Sequence, residues 1–374
     1  MGTLLEFPYR TVAEISLPAL VKNLVTLRAL SQKEIIPVVK ADAYGHGMVR
    51  IAKALVFRGS CHTLSVATLE EAIELRKKIP YAIQILVLSG FLPHQLEAYL
   101  KYRLTPVIHS LSHLKSLLHR KSLPDIHLKI DTGMHRLGLL PSEISEAVQT
   151  LERLKIKLSG LATHFAESEV STSQFTDEQI ILFQNIKSQF LEKKLLHTDA
   201  KIHIANSGAI LSGKLGDSIA VRPGLSLYGI APNPRLLNAL DLVPVLSWKT
   251  RVLAIKEIGV GETVGYGRTY KAEKKEKIAI ASIGYADGFP RLLSNEGEVL
   301  LGGKQVAVRG IVSMDLTAVD CTNLNDVREG SVVTLIGGDG KNRVTVWDLA
   351  NWARTVPYEI LCGISSRVPR LYLD

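Results

Sequence analysis

Apolar positions along this chain follow two rhythms. Up to about residue 243, short apolar runs alternate with longer stretches whose hydrophobic residues fall three and four apart, the spacing that lines one face of a helix. Ser16 is placed to cap the first such helix and Pro18 sits in its first turn, after which Leu17, Leu20, Val21, Leu24 and Leu27 share a face. Eight short runs then read as strands: 35–40, 63–67, 84–88, 105–109, 126–131, 158–164, 201–206 and 219–222. Helical stretches at 69–78, 93–102, 110–120, 141–154 and 176–195 separate most of them. Strands alternating with helices predict a parallel sheet with right-handed crossovers, and eight of them predict a closed (β/α)8 TIM-type barrel over residues 16–243.

Past residue 244 the pattern changes to β-like runs at 252–258, 277–283, 297–301, 304–311, 317–320 and 331–336, parted by glycine and charged turns. The first convincing helix there is 346–354. A smaller all-β C-terminal domain over 244–374 is the expectation. Residues 9–15 also alternate like a strand, so segment 1–15 is expected to pair with that C-terminal domain.

With 374 residues, 46% hydrophobic and 22% charged, the chain is long enough for two cores. No stretch has the length and apolarity of a membrane helix, and residues 1–10 lack the order of an export signal, so a cytoplasmic protein is expected. Cys61, Cys321 and Cys362 lie far apart, which points to neither a disulfide framework nor a metal site. The formal charge of +9 is spread along the chain, and its densest stretch, 271–277, includes acids and reads as a solvated turn. Nucleic acid is therefore not an expected partner, whereas a small anionic ligand is compatible with the charge.

On the barrel plan, chemically capable side chains collect at strand C-termini, where barrels of this kind build their sites. Lys40 ends the first strand, just before a turn rich in glycine and polar residues. An amine held there can lose its proton, as bond formation with an aldehyde cofactor requires. Lys129 and Asp131 end the fifth strand, with Arg136 beyond; His164 ends the sixth, Asn206 and Ser207 follow the seventh, and Arg222 ends the eighth. Each alone has an ordinary explanation as a cap, a core residue or a surface charge. Five strand ends so equipped point to one mouth. The loops Asn206-Ser207-Gly208-Ala209 and Arg222-Pro223-Gly224-Leu225 fall where such barrels bind phosphate, with a hydroxyl from Ser207 and glycines that admit close backbone N–H groups. A lysine for an aldehyde combined with a phosphate site points to pyridoxal phosphate.

The chain resembles the alanine racemases, fold-type III pyridoxal-phosphate enzymes, in segments that run in family order. They are Val39-Lys40-Ala41-Asp42-Ala43-Tyr44-Gly45-His46-Gly47, Lys129-Ile130-Asp131-Thr132-Gly133-Met134-His135-Arg136-Leu137-Gly138, Thr163-His164-Phe165-Ala166, Asn206-Ser207-Gly208-Ala209 and Val221-Arg222-Pro223-Gly224. Val264-Gly265-Tyr266-Gly267, Gly284-Tyr285-Ala286-Asp287-Gly288, Val312-Ser313-Met314-Asp315 and Pro357-Tyr358-Glu359 continue the series.

The resemblance implies racemisation of alanine by two bases, Lys40, which also bonds the cofactor, and Tyr266. A proton leaves one face of a planar Cα and returns to the other, so acid/base groups must flank that plane. His164 and Arg222 are implied as the chain that favours an ionised Tyr266, and Arg222 as the partner of the cofactor ring nitrogen. Tyr44, Ser207, Tyr358 and the backbone of Gly224 and Leu225 are implied at the phosphate, with Arg136 and the Met314 amide at the substrate carboxylate. Lys129 matches a lysine carbamylated in many relatives. Tyr285, Arg291 and Arg309 match entrance residues. The resemblance further implies a homodimer with shared sites and D-alanine supply for peptidoglycan. Glu167-Ser168-Glu169, Ala286 and Phe289 depart from the common pattern around the entrance and bear on gating and substrate range. The competing readings are a broad-specificity racemase, a decarboxylase of the same fold, which typically places an acid where this chain has Arg222, and a non-catalytic cofactor carrier, which resembles the barrel alone.

Overall fold

The computed structural model describes residues 8–118, 120–239 and 241–374. Residues 1–7 of the segment 1–15, and His119 of the helix expected at 110–120, lie outside the described residues. The chain divides into two units. One comprises Ala19–Ala43 and Met48–Val243; the other takes the N-terminal segment through Pro18, Tyr44–Gly47 and Pro244–Asp374. Tyr44–Gly47 thus groups with the β-rich unit although its sequence lies inside the expected span 16–243.

The N-terminal strand β1 (Thr11–Ser16) precedes a helix, Leu17–Ser31, on which Leu17, Leu20, Leu24 and Leu27 are buried and Val21 is half-buried. Each fully buried leucine contributes about 1.5–3 kcal/mol relative to exposure. Asn23 is buried on the same helix because its amide is satisfied: Nδ2 donates to the carbonyls of Leu227 and Val243, and Oδ1 accepts from the Val243 amide.

The expected barrel is present. Its strands are β2 (Glu34–Ile35), β3 (Thr63–Val66), β4 (Gln84–Val87), β5 (Thr105–Ile108), β6 (His127–Lys129), β7 (Leu158–Ala162), β8 (Leu196–His203) and β9 (Ala220–Val221). Strands β3 to β8 pair in sequence order and in parallel. β9 pairs with β2, and parallel bridges Val38↔Ser65 and Asn206↔Arg222 complete the ring. Ile36, Leu86, Val107 and Ala220, with Leu88 against them, form a buried cluster.

The first strand is shorter than the expected 35–40 because Pro37 has no N–H to give the ladder. Val38 still donates to the Pro223 carbonyl and Val39 to that of Ser65, so the register carries to Lys40. The seventh expected strand begins at Leu196, not residue 201: pairing with β7 jumps from Leu158↔Leu196 to Gly160↔Lys201, and the exposed His197, Thr198 and Asp199 concealed the strand start. The helix before it is Gln174–Glu192, capped by Ser173, and the helix at 110–120 shortens to Leu111–Lys115, capped by Ser110. A further helix, Met48–Phe57, buries Ile51, Ala52 and Leu55 and was not expected.

In the second unit a long strand, β10 (Leu246–Ile258), pairs antiparallel with β1, with Glu276–Ala281 and with Val332–Asp339, while β1 also runs parallel to Arg370–Leu373. Trp248 is buried and packs edge-on against Phe289, ring centroids 6.1 Å apart. The run expected at 304–311 narrows to Lys304–Ala307, because Gly310 adopts φ +77 and turns the chain. The helix expected at 346–354 is Val346–Trp352, and a second, Pro357–Gly363, begins at a proline suited to a first turn.

Candidate active site

Lys40 does not end a strand as expected but opens a left-handed turn. Ala41, Asp42, Ala43 and Tyr44 all have φ between 51 and 55, and Gly45 follows at 77. An L residue costs roughly 1–2 kcal/mol in that region, so neighbouring contacts must hold the turn. The Ala41 amide donates to Glu71 Oε1 at 2.7 Å, Asp42 Oδ1 accepts from the Met48 amide at 2.7 Å, and the Ala43 amide returns to the Val39 carbonyl at 2.9 Å. Lys40 is therefore delivered from a braced loop.

Arg222 is buried and nearly saturated. Nη1 lies 2.7 Å from His203 Nδ1 and also donates to the His203 carbonyl. Nη2 donates to the Thr163 carbonyl at 2.7 Å and approaches His164 Nδ1 at 3.3 Å and the Ile204 carbonyl at 3.4 Å. Every partner is neutral, and no carboxylate meets the guanidinium among the described residues. Nε has no acceptor among them, leaving one N–H outside these bonds. Burial lowers the Arg222 pKa to about 10, still a cation at neutral pH. Since an arginine only donates, His164 Nδ1 carries a lone pair and the His164 proton sits on Nε2. Burial, then Arg222 and Lys129, hold His164 well below the ordinary imidazole value, so it is neutral.

Lys129 ends β6, where burial, then Arg222, Arg136 and Lys40, lower its amine to about 8 against the opposing pull of Asp131. Asp131 Oδ1 accepts from the amides of Gly133 and His135 at 2.9 and 3.1 Å. Burial pushes this carboxyl up, but those amides and the charge of His135 outweigh it and hold it below the usual range. The barrel unit thus brings Lys40, Lys129, Arg136, His164 and Arg222 within electrostatic reach of one another.

The expected phosphate loops also meet. Ser207 Oγ accepts from the amides of Gly224 at 2.9 Å and Ser226 at 3.3 Å, with the Ser226 hydroxyl 3.0 Å away. A single oxygen gathering three donors stands where an anionic oxygen is better suited. A Cβ on Gly208 would fall 2.8 Å from the Glu169 amide nitrogen, so the glycine is required for the close approach of the Asn206–Ala209 loop to Ser168 and Glu169. Asn206 Oδ1 caps the Ser207–Ser212 turn at Ala209 and accepts from Ser168. The loop departure at residue 168 is thereby tied to the Asn206–Ala209 loop. Ser226 was not expected, although it lies two residues past Gly224 in the same loop.

In the β-rich unit, Tyr44 and Tyr358 rings lie 5.9 Å apart. Burial, with Tyr358 and Cys362 adding to it, pushes the Tyr44 phenol up, so it stays a neutral donor. Tyr266 opens a short turn between Gly265 (φ 71) and Gly267 (φ 68) and is 73% exposed. Tyr285 and Met314 share a backbone pairing: the Tyr285 amide donates to Ser313 and the Ala286 amide to Met314, and a Cβ on Gly284 would strike the Ser313 carbonyl at 2.2 Å. Asp287, buried in the same turn as Tyr285, pairs with Arg10 and Arg367. Arg291 is exposed in its own turn, while Arg309 pairs with Asp320 and lies over the Tyr270 ring. No cluster of metal-ligating side chains occurs among the described residues, and no helix there is long and apolar enough to cross a membrane.

A parallel barrel with a braced lysine, a buried arginine and a serine hydroxyl that gathers three donors, followed by a β-rich module, defines a two-domain barrel enzyme. Residues 15–232 match the alanine racemase N-terminal domain and residues 245–372 the alanine racemase C-terminal domain. The chain belongs to the alanine racemase family. It is 42% identical over 369 residues to the alanine racemase of Halothermothrix orenii, covering 97% of this chain and 96% of that one. It is 39% identical to alanine racemase 2 of Caldanaerobacter subterraneus, covering 97% and 95%. Alanine racemase from Bartonella henselae, solved with covalently bound pyridoxal phosphate, superposes with a TM-score of 0.89 at 31% identity, covering 98% of this chain and 100% of that one. Alanine racemase from Bacillus anthracis with bound L-Ala-P superposes at 0.88 and 32% identity, covering 98% and 96%.

Proposed function

We propose that this chain interconverts L- and D-alanine using pyridoxal phosphate, with Lys40 and Tyr266 acting on opposite faces of Cα. The observation that carries the reading is the surroundings of Arg222: carbonyls and neutral imidazoles take its N–H groups, no acid meets it among the described residues, and Nε–H is left over. A permanent donor of that kind keeps the cofactor ring nitrogen unprotonated, which favours return of a proton to Cα over decarboxylation or transamination chemistry.

The residues present suit the cofactor. By the resemblance, Ser207, Gly224, Leu225, Tyr44 and Tyr358 would hold its phosphate, and Lys40 would bond its aldehyde. Pyridoxal phosphate, when bound, supplies the aldehyde that captures the substrate amine and the conjugated ring that withdraws charge from Cα. Lys40 Nζ and Tyr266 Oη remove and return the Cα proton. His164, neutral with its proton on Nε2, would donate to the oxygen of Tyr266 of the partner subunit and favour the phenolate form. Arg136 and the Met314 amide orient the substrate carboxylate. A lysine amine near pKa 8 is largely nucleophilic in mildly alkaline solution, which supports carbamylation of Lys129 beside Arg136. Tyr285, Arg291 and Arg309 form the entrance.

Tyr266, Met314 and Tyr285 are 73%, 53% and 45% exposed on their own chain, which supports a homodimer in which they complete the site of a second copy. The reading places the enzyme in the cytoplasm, supplying D-alanine for peptidoglycan. Its test is incubation of purified protein and pyridoxal phosphate with each alanine enantiomer in deuterated water. Both should interconvert and gain deuterium at Cα, and Lys40→Ala should abolish this. Carbon dioxide release without interconversion would assign a decarboxylase instead.

A further inference from the structure

His127 on β6 and His203 on β8 are fully buried and take no part in the chemistry proposed above. Nδ1 of His127 lies 2.8 Å from Nε2 of His203, and the rings are tilted by 50°. Arg222 fixes where their protons are. Its Nη1 lies 2.7 Å from His203 Nδ1, and an arginine cannot accept, so that nitrogen bears a lone pair. Neutral His203 then carries its proton on Nε2 and donates it to His127 Nδ1. His127 in turn carries its proton on Nε2, which meets no partner among the described residues. Burial, then Lys201 and Arg222, lower the His127 pKa to about 3, and burial, then Arg222, hold His203 well below the ordinary value. Neither ring takes a second proton at neutral pH.

Room for the pair is built into the adjacent strand. A Cβ on Gly160 of β7 would fall 2.4 Å from His127 Nδ1. Glycine at 160 therefore admits the ring that locks His203, and His203 in turn holds Nη1 of Arg222.

We propose that His127 and His203 are positioning residues, a proton-locked pair that fixes the guanidinium of Arg222 so that its Nε–H is left for the cofactor ring nitrogen. The assignment rests on the cofactor reading above. Loosening the lock opens the ring nitrogen to protonation. Alanine then passes its amino group to the cofactor more often, giving pyruvate, whose carbonyl oxygen comes from water, and the amine form of the cofactor.

Nitrogen-15 histidine spectra of the holoenzyme, assigned through His127→Gln and His203→Gln, should show both rings neutral and protonated at Nε2 from about pH 6 to about pH 8. Loss of one buried hydrogen bond costs about 1 kcal/mol, so His203→Leu and Gly160→Ala should each raise pyruvate formed per racemisation by about fivefold. His203→Gln, whose side-chain oxygen again accepts from Nη1, should recover most of the wild-type ratio. A wild-type His203 protonated at Nδ1 or cationic overturns the proposal, with no variant needed. A wild-type ratio in a folded His203→Leu overturns it as well. Wild-type enzyme that binds cofactor without racemising alanine refutes the functional reading alone, and the spectra then decide whether the pair is locked.

Discussion

Replacing Glu71 with alanine removes one carboxylate that braces two structures. Oε1 accepts from the Ala41 amide at 2.7 Å, while Oε2 accepts from the amides of Ala67 and Thr68 at 2.8 and 3.2 Å and closes the capping box of helix Leu69–Arg76. The four consecutive residues with φ near 50 beyond Lys40 cost roughly 4–8 kcal/mol together if each costs 1–2. A backbone amide bonded to a carboxylate contributes about 1.5–3 kcal/mol, and exposure of Ala41 reduces this to about 1–1.5. Losing it should make amides 41–45 exchange with solvent about tenfold faster, since 1.4 kcal/mol corresponds to a factor of ten. Glu71→Gln keeps an oxygen at the same reach without the charge and should fall between the two. Hydrogen exchange read by mass spectrometry measures the effect peptide by peptide, and cofactor loading onto Lys40 should slow in parallel. Unchanged exchange at 41–45 while helix Leu69–Arg76 loosens would refute the reasoning, because Glu71 would then be a helix cap and nothing more.

Lys129 should take up carbon dioxide: a carbamate signal from carbon-13 bicarbonate is expected in wild type and absent in Lys129→Ala. Unmodified Lys129 has a folded pKa near 8, below its ordinary 10.5, so between those values the unfolded chain binds more protons and stability should rise with pH. Carbamylation removes that rise, which denaturation in carbonate-free and bicarbonate buffers distinguishes. Ser226→Ala should weaken pyridoxal phosphate binding by about fivefold, the scale of one hydrogen bond, and Ser207→Ala by more because that oxygen gathers three donors. Equal affinity in wild type and both variants would remove the cradle from the phosphate.

The barrel was legible because its strands are short apolar blocks and its helices carry strong spacing, as in Leu20, Leu24 and Leu27. Lys40 and Arg222 stood out as polar ends of apolar runs, although Lys40 opens a turn and does not end a strand, and the two loops expected to bind phosphate stood out through Ser207 and their glycines. What escaped depends on contacts distant in sequence. The left-handed turn beyond Lys40 has only Gly45 and Gly47 to announce it; Glu71, thirty residues on, supplies the brace. β8 begins among polar residues that resemble a loop, so Leu196 went unseen as its start. His127 lies two residues before Lys129 on β6, a period-two signal that could have found it, whereas His203 on β8 has no candidate residue two places on. Their pairing, and the glycine at 160 that admits it, belongs to strand neighbours and not to any local motif.

Deuterium exchange by Tyr266→Phe tests the claim of two bases on opposite faces most directly. With Lys40 intact and its counterpart removed, one alanine enantiomer should still exchange its Cα hydrogen with deuterated water, while the other exchanges little and interconversion nearly stops. Equal exchange of both enantiomers with interconversion preserved would contradict the account, since a single base would then be serving both faces.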